Sequence, residues 1–331
     1  MNSIKKMMLS GALGCLISGM AYADGSSPQP VKPYWQDIQV VAVNKEKPRS
    51  SFMSYADRET ALTSRFEKSP YYSLLNGTWK FFFVDSYKDL PQNITDPSVN
   101  TSSWDDITVP GNWEVQGHGV AIYTNHGYEF KPRNPQPPLL PEANPVGVYR
   151  RDIEIPASWD NRDIYLHIGG AKSGLYVYLN GKEVGYSEDS KNPAEFLINK
   201  YLQPGKNVLT LKIFRWSTGS YLECQDFWRM SGIERDVFLW SQPKANIQDF
   251  RVVSTLDDTY TNGIFKLAVD LKNHTQETKN LNVGYELLDA KGNLVTSEAN
   301  DIWVSPASPQ TASFEYDLKN VAPWSAEHPN L

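Results

Sequence analysis

From Gly77 onward the apolar residues come in strand-length runs, each closed by turn residues, and that rhythm leaves little room for any class but all-β. Residues 78–84 form one such run, and residues 149–155 follow a Pro-rich loop. Residues 164–168, 175–179, 207–215 and 236–240 continue the series. Asn180-Gly181, between residues 177–179 and Val184, marks a tight hairpin, because a type I′ turn needs positive φ at both central positions. The expectation is a jelly-roll or similar sandwich. Residues 57–75 are the one stretch expected to be helical.

A boundary falls at residues 241–244, Ser-Gln-Pro-Lys. Beyond it Phe265, Leu267, Val269 and Leu271 alternate with Lys266, Ala268 and Asp270, the pattern of a sheet with one wet face. Val283, Tyr285 and Leu287 repeat it, and residues 291–293 turn the chain. Residues 244–331 therefore read as a small immunoglobulin-like sandwich without a disulfide, possibly truncated, and residues 34–243 as the first sandwich.

The start of the chain reads as a targeting signal. Lys5 and Lys6 precede a mostly apolar stretch over 7–20, and Ala21-Tyr22-Ala23 gives a small-x-small cleavage pattern. Residues 1–23 are then a signal peptide, Asp24 is the mature start, and Ser/Pro/Gly-rich residues 24–33 form a flexible segment. Cys15 raises lipidation as an alternative, but Leu13-Gly14-Cys15 lacks the usual leucine three positions before the cysteine. The expected location is periplasmic or extracellular. No other segment approaches the ~20 apolar residues that span a bilayer. Only Cys224 lies in the mature chain. The net charge of −6, with no basic run past the leader, argues against nucleic acid and anionic membrane surfaces as partners.

Residues 215–240, RWSTGSYLECQDFWRMSGIERDVFLW, carry the chemistry. They set Trp216, Tyr221, Phe227, Trp228 and Trp240 around Glu223 and Asp226, between two strands. A pyranose has an apolar C–H face that lies on an aromatic ring and hydroxyls that donate to carboxylates, so this mixture suits sugar recognition. The other reading is a buried aromatic cluster at a sandwich edge, with Arg229 or Arg235 neutralising Asp226. Asn144 is the second candidate, because Pro145 pushes it into extended backbone and so fixes where its amide points. The five histidines, His118, His126, His167, His274 and His328, show no metal-ligand spacing.

The 215–240 segment resembles the β-galactosidases of glycoside hydrolase family 2. It has their Tyr-Leu-Glu run at 221–223, Gln225-Asp226, Phe227-Trp228-Arg229, Ser231-Gly232-Ile233 and Arg235-Asp236. LNGTWKFFF, VPGNWEVQGHGVAIYTN, PEANPVGVYRR, LNGKEVGYSEDSKNPAEF and APWSAEHPNL follow as family landmarks in family order. The resemblance implies a jelly-roll-like galactose-binding sandwich, then the first immunoglobulin-like domain. In the family an (α/β)8 barrel with both catalytic glutamates comes next, and that barrel is absent from this chain.

The implied activity is retaining hydrolysis of terminal β-D-galactosides. Retention needs two carboxyl groups about 5–5.5 Å apart. Neither glutamate motif occurs here, so no residue of this chain is expected to be catalytic, and the 331-residue chain alone is expected to be inactive. The resemblance assigns substrate contact to Asn144 and Asp226, and a sodium ligand to Asp226 shared with the barrel. Magnesium is expected only with the barrel. Implied partners are a β-galactoside, the barrel and, in the full-length enzyme, a homo-oligomer. Cys224 departs from the usual aspartate and Glu234 from the usual aromatic, which leaves the sodium site open. Alternatives are a stand-alone carbohydrate-binding protein and a non-catalytic partner of a separate barrel chain, the latter signalled by a large exposed apolar patch.

Overall fold

The computed structural model describes residues 32–130, 134–306 and 308–330. The leader 1–23, Cys15, the cleavage site before Asp24 and nearly all of 24–33 lie outside the described residues.

The chain is all-β, as expected, and comprises two successive sandwiches. In the first, a seven-stranded antiparallel sheet has the order Ala42–Val43, Lys182–Ser187, Gly174–Leu179, Lys206–Phe214, Val146–Glu154, Gly77–Val84, Asp105–Val109. A four-stranded sheet, Ala194–Leu197, Arg162–Ile168, Val237–Pro243, Tyr72–Leu74, faces it. Alternate residues of both point inward, so Leu166, Ile168, Val177, Leu179, Leu209, Leu211, Val237 and Leu239 form one core. The predicted hairpin is present: Asn180 and Gly181 have φ of 53° and 77° and join Leu179 to Lys182.

The helix expected over residues 57–75 is mostly not there. Only Arg58–Leu62 is α-helical, capped by Asp57, whose carboxylate accepts from the Thr60 N–H at 2.8 Å. No residue of that helix is buried, so packing adds nothing to its weak intrinsic stability. Ser64 turns to φ 53° just after it. Tyr72–Leu74 is then recruited as an edge strand beside Val237–Pro243, because sheet pairing and burial of its flanks outweigh local propensity.

The second sandwich has a three-stranded sheet, Ala245–Leu256, Gly263–Asn273, Gln310–Leu318, and a two-stranded one, Lys279–Leu288 with Leu294–Val304. Phe265, Leu267, Val269 and Leu271 are buried, while Lys266 is exposed and pairs with Glu315 across the sheet at 3.0 Å. The two sandwiches are tied by Lys272 Nζ donating to the Tyr165 hydroxyl at 2.7 Å and by the Ser50 N–H donating to Asp249 at 2.9 Å. No (α/β)8 barrel lies among the described residues.

Candidate functional site

The 215–240 segment leaves the strand Lys206–Phe214 and rejoins the four-stranded sheet at Val237. Its middle is held in a fixed shape by side chains from elsewhere in the first sandwich. Ser217 and Ser220 close a capping box around the 3-10 turn Thr218–Tyr221. The buried Glu188 carboxylate accepts from the Thr218 hydroxyl at 2.8 Å, the Gly219 N–H at 2.6 Å and the Tyr186 hydroxyl at 2.7 Å. Burial pushes the Glu188 carboxyl above its ordinary range, although these donors pull the other way. Ser190 holds the far side of the turn, donating from its N–H and its hydroxyl to Glu223 at 2.8 and 2.6 Å.

Those contacts separate the two acids. Glu223 spends both oxygens on Ser190, so it is a brace. Asp226 is exposed, and its Oδ1 accepts from the Tyr123 hydroxyl at 2.8 Å. Tyr123 arrives because Ile122–Thr124 pairs with Phe227–Arg229, placing Tyr123 opposite Trp228. Their rings are 5.7 Å apart, and both stand more than half exposed. Asp226 is therefore flanked by an open aromatic pair, an arrangement able to take a sugar's C–H face and hydroxyls together.

The remaining aromatics follow the bland alternative. Trp216 and Trp240 are buried, and Trp240 belongs to a different cluster with Tyr165, Phe238 and Met53. Tyr221 packs edge-on to Tyr128 and Phe130. Neither arginine neutralises Asp226. Arg229 donates to the Glu223 carbonyl at 2.9 Å, and Arg235 to the Lys191 carbonyl at 2.7 Å.

Asn144 is fully buried. Its Nδ2 donates to the Trp216 carbonyl at 2.8 Å and its Oδ1 accepts from the Trp216 N–H at 3.0 Å. The structure does not bring it into contact with Asp226; it fixes the main chain from which the Asp226 loop departs. Cys224 turns its thiol to the carbonyls of Ser220 and Tyr221, and burial pushes that thiol up.

Sequence reasoning missed the buried charges beneath the loop. Lys172, with its side chain 2% exposed, lies 3.4 Å from Glu129 at 6%. Arg215 stands 3.7 Å from both Glu129 and Glu114. Glu114 accepts from the Ser231 N–H at 2.8 Å, and burial raises its carboxyl above the usual range. This lattice ties the 114–130 and 215–231 segments together. Three of the four charges lie in turns or just past a strand end, so no strand pattern marked them as buried.

Val115, Val120 and Leu222 are also exposed on these same segments, and Leu139 is exposed on the stretch that precedes Asn144. Among the described residues no group of three or more His, Cys, Asp or Glu could hold a metal ion. Asp226 keeps Oδ2 without a hydrogen-bond partner among the described residues, which suits it to be one ligand of a hard cation but not a site by itself.

Comparison with known proteins places these features. Residues 72–243 match the glycosyl hydrolases family 2 sugar-binding domain, and residues 245–331 match the following glycosyl hydrolases family 2 domain. A β-galactosidase of Priestia megaterium is 38% identical over 303 residues, covering 90% of this chain and 29% of that protein. One from Leuconostoc mesenteroides is 37% identical over 312 residues, covering 90% and 28%. The chain thus spans less than a third of the length of these relatives and matches their N-terminal region. Among solved structures, a Bacteroides uniformis β-glucuronidase superposes with a TM-score of 0.63 at 20% identity, over 78% of this chain and 29% of that one. At that identity it shares the fold. The two domain matches and the 221–236 run, altered at Cys224 and Glu234, have one common source: this chain belongs to glycoside hydrolase family 2.

Proposed function

We propose that this chain is the N-terminal portion of an exported β-galactosidase, one that hydrolyses terminal β-D-galactosides with retention. Asp226 contacts galactose hydroxyls, and Tyr123 and Trp228 offer the ring its aromatic wall. Asn144 serves recognition through Trp216. The first sandwich, residues 34–243, acts as a jelly-roll sugar-binding domain and residues 244–331 as its immunoglobulin-like neighbour. A barrel domain brings both catalytic glutamates, covers the apolar rim of Val115, Val120, Leu139 and Leu222, and completes a sodium site around Asp226 Oδ2. Magnesium binds with the barrel alone. Residues 1–23 direct export to the periplasm or beyond.

One observation carries this reading: a solvent-facing Asp226 beside two open aromatic rings, within a sequence 38% identical to a β-galactosidase across 303 residues. The test compares the 331-residue chain with the protein encoded when its reading frame is extended through a barrel domain. The longer protein is expected to cleave a β-galactoside and the shorter one not to. In the longer protein, Asp226→Asn is expected to raise KM and lower kcat/KM at least about tenfold, or 1.4 kcal/mol. Enzyme-like turnover by the short chain, or a longer protein that cleaves β-glucuronides in place of β-galactosides, overturns the proposal.

A further inference from the structure

The outer face of the four-stranded sheet holds a second feature that the Asp226 loops do not use. A cleft of about 280 Å3 opens there. His167 and Phe238 line it, their rings nearly parallel with centroids 4.2 Å apart. Phe66 stands edge-on to Phe238 at 6.4 Å. Lys47, Asp189 and Asn192 are among the polar residues of the lining, residues 46–52 form one side, and a shallower trench continues past the same three rings toward Arg235.

The polar groups are arranged rather than incidental. His167 Nδ1 lies 2.8 Å from Glu195 Oε1. Glu195 is itself fixed, by Arg49 Nε and Nη2, each at 2.8 Å, and by Trp240 Nε1 at 3.1 Å. Burial works to raise the Glu195 carboxyl, but His167 and Arg49 outweigh it and hold the group below its ordinary range. In the neutral imidazole, an ionised carboxylate at Nδ1 selects the tautomer with the proton there. Nε2 is then an acceptor of fixed direction, with no partner among the described residues. Asn192 gives its Nδ2 to both oxygens of Asp189 at 3.0 Å, which leaves its own Oδ1 for a hydroxyl.

Charge and size narrow the ligand. Arg49 is consumed by Glu195, Glu46 lies 3.7 Å from Lys272, and Asp189 balances Lys47, so the lining has no net positive charge to hold an anion. The volume falls just below the range of small-molecule pockets, about 300–1,000 Å3, room for no more than one ring. A wall of aromatic rings with two fixed acceptors fits a ring that has an apolar face and several O–H donors.

We propose that this cleft binds one neutral pyranose unit. Its C–H face lies against Phe66, which Phe238 backs from the core, and its hydroxyls donate to His167 Nε2 and Asn192 Oδ1. The trench gives a glycan chain attached to that unit room to continue. None of this rests on the role given to Asp226.

The test is a proton NMR titration of the full chain, following the His167 imidazole, which is identified by its loss in His167→Gln. The probes are methyl β-D-galactoside, methyl β-D-glucoside and galactose 6-sulfate. A saturable His167 shift with at least one neutral glycoside is expected, in the millimolar range typical of single sugar rings. Asn192→Ala, on the rim and outside the core, should weaken it at least about tenfold. Asp226→Asn should leave it unchanged. Three results overturn the proposal: no saturable shift with either neutral glycoside, response to the sulfated sugar alone, or binding that survives Asn192→Ala and disappears in Asp226→Asn.

Discussion

Asn144 brackets the Trp216 peptide, donating to its carbonyl at 2.8 Å and accepting from its N–H at 3.0 Å, with no side-chain surface exposed to solvent. The two residues are 72 positions apart, so this amide decides where the 215–240 loop begins. Asn144→Ala leaves two buried backbone groups unpaired and should cost about 2–4 kcal/mol. Asn144→Asp keeps the acceptor but sets an anion against the Trp216 carbonyl, so at neutral pH it should do no better than alanine. Urea unfolding of the purified chain measures both, and a loss below about 0.5 kcal/mol for alanine would mean the bracket does not form in solution.

Lys172 and Glu129 form a deeply buried ion pair beneath the loop. Glu129→Gln strands Lys172 and should destabilise by about 3–5 kcal/mol, whereas Lys172→Met leaves Glu129 facing Arg215 at 3.7 Å and should cost less. The double variant should lose clearly less than the sum, because no charge is stranded. A double-mutant cycle in urea checks this, and strict additivity would show that the two side chains do not sense each other.

Where structure depends on neighbours in sequence, the sequence was enough. Asn180-Gly181 needed only its own backbone preference, and residues 265–271 only their period of two. The helix expected over 57–75 shows the opposite case. Tyr72–Leu74 becomes a strand because Phe238–Trp240, more than 160 positions away, offers it an edge. The candidate site divides the same way. The segment's chemistry was visible in its residue types, but the separation of Glu223 from Asp226 was not. That separation depends on Ser190 and Tyr123, which reach the loop from different strands and loops. His167 looked like an ordinary strand residue until Glu195 stood beside it.

Glu188 makes stability depend on pH in a recognisable direction. Its folded carboxyl titrates above the ordinary value of 4.5, chiefly through burial. The folded state therefore binds this proton more tightly than the unfolded chain does. The contribution is fully present below the unfolded value and is lost as pH rises through the folded one. Glu114 adds a term of the same sign. The stability difference between wild type and Glu188→Gln should shift in favour of wild type as pH is lowered through that window. Thermal melts at several pH values read it, and a difference flat across the window would place the Glu188 carboxyl at its ordinary value.

Trp216 and Trp228 should separate stability from recognition. Trp216 is 9% exposed and stacks edge-on to Phe130, whereas Trp228 is 55% exposed and touches Tyr123. Trp216→Ala opens a cavity under the loop and should cost about 3–5 kcal/mol. Trp228→Ala loses only one open aromatic contact, about 0.5–1.5 kcal/mol. The order should reverse for sugar: in the barrel-containing protein Trp228→Ala should raise KM for a β-galactoside while the fold stays intact. Urea midpoints and KM on the same two variants decide it. A Trp228→Ala protein with unchanged KM would remove the Tyr123–Trp228 pair from the recognition surface and leave Asp226 alone to carry it.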